Sequence, residues 1–191
     1  VIDYVRKHDD GQSRWLIHPS FLGEELAWQT RAQVIGGFTL RNLTHSWVNY
    51  FRRYPQGISK PEELREYMET FAVGWVMIGQ HDHYLNVMPS PELELVDKID
   101  HIAVYKPKFK PRLVVGGDPS QPPKVEAKTN RIRISGSDPD ADLLVRYHWH
   151  EKLVCKPDCS IERAPSDRVD VVGFMKIPAP HPADFEIVNG Y

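Results

Sequence analysis

Glu63-Leu64-Arg65-Glu66-Tyr67-Met68-Glu69-Thr70-Phe71-Ala72, running into Val73-Gly74-Trp75-Val76-Met77-Ile78, is the stretch on which the fold turns. Leu64, Tyr67, Met68 and Phe71 recur every three or four residues, so they share one face of a helix. Ser59 with Glu62 three positions later reads as a capping box, and the spacing predicts a helix from Lys60 to Phe71. The six residues from Val73 to Ile78 are almost wholly apolar. A run that short, with no polar alternation, predicts a strand buried on both faces, as in an α/β sheet.

Working back toward the start, the same alternation of helix and strand recurs. Ile2 and Val5 have helical spacing before Asp10-Gly11. Arg14 to His18 reads as a buried strand ended by Pro19-Ser20, residues 21–31 as a short helix, and Gln33-Val34-Ile35 as a second strand running into Gly36-Gly37. In 43–53, Leu43, Trp47 and Tyr50 fall on one helical stripe. Past the central strand, Glu92 to Asp100 predicts another helix and Ile102 to Tyr105 a closing strand. The pattern as a whole favours a layered α/β domain over residues 1–106.

The signals change beyond Tyr105-Lys106-Pro107-Lys108-Phe109-Lys110-Pro111, which reads as a stiff basic connector. Of the 16 prolines, 5 precede residue 107 and 11 lie from Pro107 onward, so the chain divides there. Lys124 to Ser135 alternates around Thr129-Asn130. Leu143, Val145, Tyr147 and Trp149 alternate with Leu144, Arg146, His148 and His150, a period of two. Val171 to Ile177 and Phe185 to Val188 add further strands. Short strands separated by Gly, Pro and Asp predict a small all-β sandwich over residues 107–191.

Composition narrows the function. The chain has 191 residues, 41% hydrophobic and 26% charged, which is globular rather than disordered. Its net charge of -2 gives no support to a nucleic-acid partner, whose electrostatic footprint is basic. No apolar run approaches the roughly 18 residues that span a bilayer. No signal peptide is visible, yet the chain opens at Val1 rather than Met, so it is expected to be part of a longer protein whose membrane or targeting segment lies elsewhere. Cys155 and Cys159 flank Pro157-Asp158, a turn that one short disulfide closes in an oxidising compartment; two free thiols are the alternative.

No nucleophile elbow, Walker loop or His-Glu-x-x-His zinc motif is present. Gly36-Gly37 after a strand suits either a phosphate-cradling turn or a plain tight βα turn. Nine histidines include two His-x-His pairs. His81 and His83 follow the central strand, where α/β sheets carry their binding loops. His148 and His150, if both lie on one strand, present their rings to one face, and the four together would suit a metal-dependent enzyme. The competing reading is solvent-facing or aromatic-packed imidazoles. Trp28, Trp47, Tyr50, Phe51 and Tyr54 line either a sugar- or lipid-binding surface or the core. Arg52-Arg53 suits a headgroup level or a solvated helix end, and Asn42-Leu43-Thr44 fits a glycosylation acceptor.

The order of segments resembles a known group. Ile2-Asp3-Tyr4-Val5-Arg6, the strand Arg14–His18, the Arg31-x-x-Val34-Ile35-Gly36-Gly37 segment and the helix–strand unit 63–77 are similar to extracytoplasmic C-terminal regions of large bacterial and archaeal polytopic membrane proteins. The tail segments 143–150 and 172–177 resemble theirs as well. Those proteins are related to GT-C glycosyltransferases, which use polyprenyl-phosphate-linked sugars. They include the 6-pyruvoyl-tetrahydropterin-synthase-related membrane proteins and the dolichyl-phosphate-mannose-type transferases. The resemblance implies an extracytoplasmic location at the cell membrane. It implies as partners the protein's own transmembrane region and a glycan or lipid-linked sugar, with no cofactor. The catalytic acid of that class lies in a loop between membrane helices, so the resemblance implies no catalytic residue in this chain. The substrate-approaching positions it suggests are Arg31, Gly36, Gly37, Asn42, Thr44 and His45. A carbohydrate-binding or adhesion module without enzyme activity is the other class to separate from it.

Overall fold

The computed structural model describes residues 1–35, 50, 60–79, 90–165 and 172–190. It is a mixed α/β structure built mostly of strands, in three sheets. The chain divides into two compact units, Val1–Arg112 and Leu113–Tyr191. The proline-rich stretch 107–111 belongs with the first unit: Pro107 ends a strand, and the Lys108 N–H donates to Glu92 O at 2.9 Å.

The described helices of the first unit are α1 (Ile2–His8), α2 (Ser20–Thr30) and α3 (Pro61–Phe71). Its strands are β1 (Arg14–His18), β2 (Val34–Ile35), β3 (Val73–Gly79), β4 (Leu93–Ile99) and β5 (Ile102–Pro107). They form one sheet in the order β2-β1-β3-β5-β4. β1 runs parallel to both β2 and β3, whereas β5 is antiparallel to β3 and to β4. Trp15, Ile17, Trp75, Met77 and Val104 point to one face of this sheet. Val5 of α1 and Leu26 of α2 pack onto them. Leu16, Val76 and Ile78 alternate to the other face and are fully buried too. Burial on both faces is what an almost wholly apolar strand requires.

Helix α3 shows the expected apolar face, with Leu64, Tyr67, Met68 and Phe71 buried. Its start differs from the capping-box reading. Lys60 is the N-cap, without a side-chain cap bond, because Pro61 takes the first helical position, where its fixed φ suits the helix and its missing N–H costs nothing. The helix ends at Ala72 in the left-handed region (φ 52°). Arg14 then ties it to the sheet: its N–H donates to Ala72 O at 2.7 Å and its Nη1 to Phe71 O at 2.8 Å. Gly74 is required just beyond, since a Cβ there would run into the Ser13 side chain.

The helix expected over Glu92 to Asp100 is instead β4, paired with β5 as a hairpin. Ile99 pairs with Ile102 across Asp100-His101, and Asp100 adopts φ 51°, a left-handed geometry that Asp tolerates. A register shift between Leu95 and Asp97 breaks the alternation. The apolar spacing over the strand therefore mimics a helix. The helix expected over 43–53 lies outside the described residues, apart from Tyr50, which is helical and fully buried against Tyr67.

The second unit has β6 (Val114–Val115), β7 (Lys124–Lys128), β8 (Arg131–Ser135), β9 (Leu143–His148), β10 (Leu153–Lys156), β11 (Glu162–Ala164), β12 (Phe174–Ile177) and β13 (Phe185–Asn189). They form two four-stranded sheets, β10-β13-β8-β7 and β11-β12-β9-β6. Each buries alternate residues: Val125, Ile134, Phe185 and Ile187 in the first, Leu143, Val145, Met175 and Ile177 in the second. β10 and β11 were not legible in the sequence, because Val154 of β10 is exposed and Glu162-Arg163 of β11 offers no apolar pattern. Cys155, buried on β10, is bonded to Cys159.

Candidate functional site at the carboxyl edge of the parallel strands

The site follows from the path of the chain across β1. Leaving β1, the chain turns into α2 and re-enters the sheet as β2 on one side; after β2 it next enters as β3 on the other side. Successive connections thus diverge between β1 and β3. In open α/β sheets the crevice outside the carboxyl ends of such strands is where ligands bind. In register, His18 at the end of β1 stands beside Ile78 of β3. The chain then passes through the cis His18–Pro19 bond into α2 at Ser20, and β3 ends at Gly79. A Cβ at Gly79 would sit 3.8 Å from Pro19 Cδ, so the two strand ends abut.

The amino end of α2 opens on this edge. Leu22 N–H and Gly23 N–H both donate to Pro19 O, at 3.1 and 3.4 Å, and the first turn carries no acidic side chain. The positive end of the helix dipole is therefore not neutralised from within its own first turn, which suits an anionic group. The edge offers a peptide dipole, the half-buried His18 and the Ser20 hydroxyl. This set can hold and orient a phosphate.

Of the site residues expected from sequence, Gly36, Gly37, Asn42, Thr44, His45, His81 and His83 lie outside the described residues. In the chain, Gly36 directly follows the last residue of β2, and His81 comes two residues after the last residue of β3. Both segments thus continue from the carboxyl ends of the strands that flank β1. Arg31 is among the described residues. It caps the far end of α2 in the left-handed region (φ 63°), its N–H donating to Ala27 O at 3.2 Å. Nearby Gln33 O accepts the Trp15 N–H at 2.8 Å, which places this end of α2 toward the amino end of β1. A cation at the carboxyl end of a helix is also favourable to the helix dipole.

The second His-x-His pair is not two alternate residues of one strand. β9 ends at His148, because the Trp149 N–H turns away to Gly173 O at 3.2 Å. His150 sits in the following turn, where its Nδ1 accepts the Lys152 N–H at 3.2 Å. Among the described residues no group of three or more His, Cys, Asp or Glu could hold a metal ion. The aromatics divide: Trp28 is 83% exposed, Tyr50 is fully buried, and Trp47, Phe51 and Tyr54 lie outside the described residues, as do Arg52-Arg53.

His18, Pro19, Ser20 and Gly79 were not singled out by sequence reasoning. Only the Pro19-Ser20 strand stop hinted at them, since what gathers them is strand order. Among the described residues, no helix is long and apolar enough to cross a membrane. No protein-family model matches the chain, and no curated protein matches it. Among solved structures, the C-terminal globular domain of an oligosaccharyltransferase from Archaeoglobus fulgidus is similar in part. The identity is 8% and the TM-score 0.43, over 56% of this chain and 94% of that chain. A likeness of that degree assigns neither fold family nor activity.

Proposed function

We propose that this chain is an extracytoplasmic part of a polytopic membrane protein of the glycosyltransferase type, and that its carboxyl strand edge receives the phosphate of a lipid-linked sugar or its glycan. In this reading the first unit is a layered α/β domain and the second a small β-sandwich. The transmembrane region lies in the same protein outside these residues. Gly36, Gly37, Asn42, Thr44 and His45 approach the substrate together with His18 and Ser20. Arg31, at the C-cap of α2, is the further substrate-approaching position in this reading. The chain binds and supports, and the reactive group lies elsewhere in the protein.

The observation that carries this reading is the parallel order β2-β1-β3, whose connections diverge after His18–Ser20 and Gly79, beside the amino end of α2. The Cys155–Cys159 disulfide supports the compartment, because such bonds persist outside the reducing cytosol. The resemblance of the segment order to GT-C-related membrane proteins supports the substrate class.

Titration with a short-chain polyprenyl phosphomannose, followed by amide chemical shifts, tests it. Shifts are expected at residues 18, 20, 36–37 and 78–79, with no sugar transfer by the chain alone. Ser20→Asp should weaken binding about tenfold through like-charge repulsion while leaving the melting temperature unchanged or higher, since an acidic residue suits a helix amino end. Absence of shifts at millimolar ligand, shifts confined to residues 113–191, or turnover by the isolated chain would each overturn the proposal.

A further inference from the structure

We infer that the outer face of the sheet β10-β13-β8-β7 is a docking surface for an anionic phospholipid bilayer. The register fixes which side chains share that face. One row across the four strands is Glu126, Arg133, Glu186, Lys156; the next is Lys128, Arg131, Val188, Val154. Lys124 stands on the same face of β7, since Val125 between it and Glu126 is buried. The residues that alternate with these rows, Val125, Ile134, Cys155, Phe185 and Ile187, are buried, so the two rows face outward.

Five cations therefore meet two carboxylates, a net charge of +3 on one face of a chain whose total is -2. The carboxylates are shared: Glu186 lies 3.1 Å from Arg133 Nε and 3.9 Å from Arg131 Nη1, and Glu126 lies 2.6 Å from Lys128 Nζ. They hold the cations in place without cancelling the excess. The second row is amphipathic along its length, passing from Lys128 and Arg131 to Val188 and the exposed Val154.

Charge complementarity selects an anionic partner, and the shape and chemistry of the face select among anions. These rows carry no aromatic side chain on which a base or a sugar ring would stack. A second copy would bring like charge against like charge. An extended surface of lipid phosphates matches cations spread over a whole sheet face, and the valine pair suits its interfacial layer. The inference does not depend on the sugar-binding reading of the first unit, because plain vesicles carry no sugar.

The test is cosedimentation of the 191-residue chain with vesicles of phosphatidylcholine alone and with one third phosphatidylglycerol, at low and high salt. Binding is expected only to the anionic vesicles and is lost at high salt. Lys128→Ala with Arg131→Ala should weaken it about 25-fold, taking roughly fivefold per basic residue near the surface. Lys7→Ala with Lys98→Ala, exposed positions of the first unit, should leave it unchanged. Both double variants are checked for an unaltered melting temperature, and Lys124→Ala with Lys156→Ala repeats the test at the ends of the patch. Equal binding to neutral vesicles, full binding by both patch variants, or retention on a sulfated polysaccharide without vesicle binding overturns the inference.

Discussion

Two tryptophans show how little a residue type says without its surroundings. Trp75 stacks on Trp15 with ring centroids 4.6 Å apart and planes within 5°, while Lys106 Nζ lies 4.0 Å above the Trp75 ring. The Trp15 indole N–H donates to Asp9 at 3.0 Å, so the pair is both packed and satisfied. Trp28, on the outer side of α2, is almost wholly exposed. Trp75→Ala should therefore cost about 3–5 kcal/mol in urea unfolding, and Trp28→Ser less than about 0.5 kcal/mol. From sequence Trp28 was open to either role, because exposure depends on which face of a helix meets the sheet. Titration gives a second residue-scale expectation. Lys176 and the Ala179 N–H hold the Asp142 carboxyl below its ordinary 3.8, and Asp142 in turn holds Lys176 above its ordinary 10.5. A depressed carboxylate stabilises the fold fully above its unfolded value and loses that contribution as pH falls through the folded one. A raised lysine stabilises fully below its unfolded value and loses that as pH rises through the folded one. Asp142→Asn should thus lower the melting temperature most between about pH 5 and 9, and the difference should vanish in strong acid. A difference that persists undiminished at pH 2 would refute the pairing.

At the scale of elements, the strands and helices that announced themselves had a plain apolar pattern. β1 and β3 bury consecutive residues on both faces, and α3 carries its buried residues at spacings of three and four. β4 did not: Leu93, Val96 and Ile99 fall three apart, and Glu, Leu and Lys around them favour a helix locally. Pairing with β5 along the whole strand overrides that preference, and the register shift near Leu95 supplies the misleading spacing. The turn should then be the sensitive point. Asp100 sits at φ 51°, where a glycine is unstrained and an alanine is not. Asp100→Gly is expected to be neutral within about 0.5 kcal/mol, and Asp100→Ala to destabilise by about 1 kcal/mol, measured by thermal unfolding. Were the segment a helix, the order of the two would be reversed. The candidate site was legible only in its fragments. His81 and His83 were placed after a strand by their position in the chain. That β3 lies on the opposite side of β1 from β2 is a property of strand order, and no local spacing encodes it.

For the molecule as a whole, the described strands pass from a mixed sheet with helices in residues 1–112 to antiparallel sheets in residues 113–191. The compact units part at Arg112–Leu113, because the antiparallel pairing of β5 carries the first unit past the connector. Each unit buries an apolar core of its own. In the second it includes Leu113, Val145, Ile134, Phe174 and Phe185. Residues 113–191 should accordingly fold alone, in one cooperative transition. The disulfide gives the independent check. It closes a loop of only about five residues, so its loss should remove about 2 kcal/mol from the unit that contains it and nothing from the other. In calorimetry, Cys155→Ser with Cys159→Ser should lower one transition of the full chain, and lower the single transition of residues 113–191 by the same amount. A variant that shifts both transitions of the full chain equally would mean that the units unfold as one, and that the boundary at Leu113 carries no thermodynamic weight.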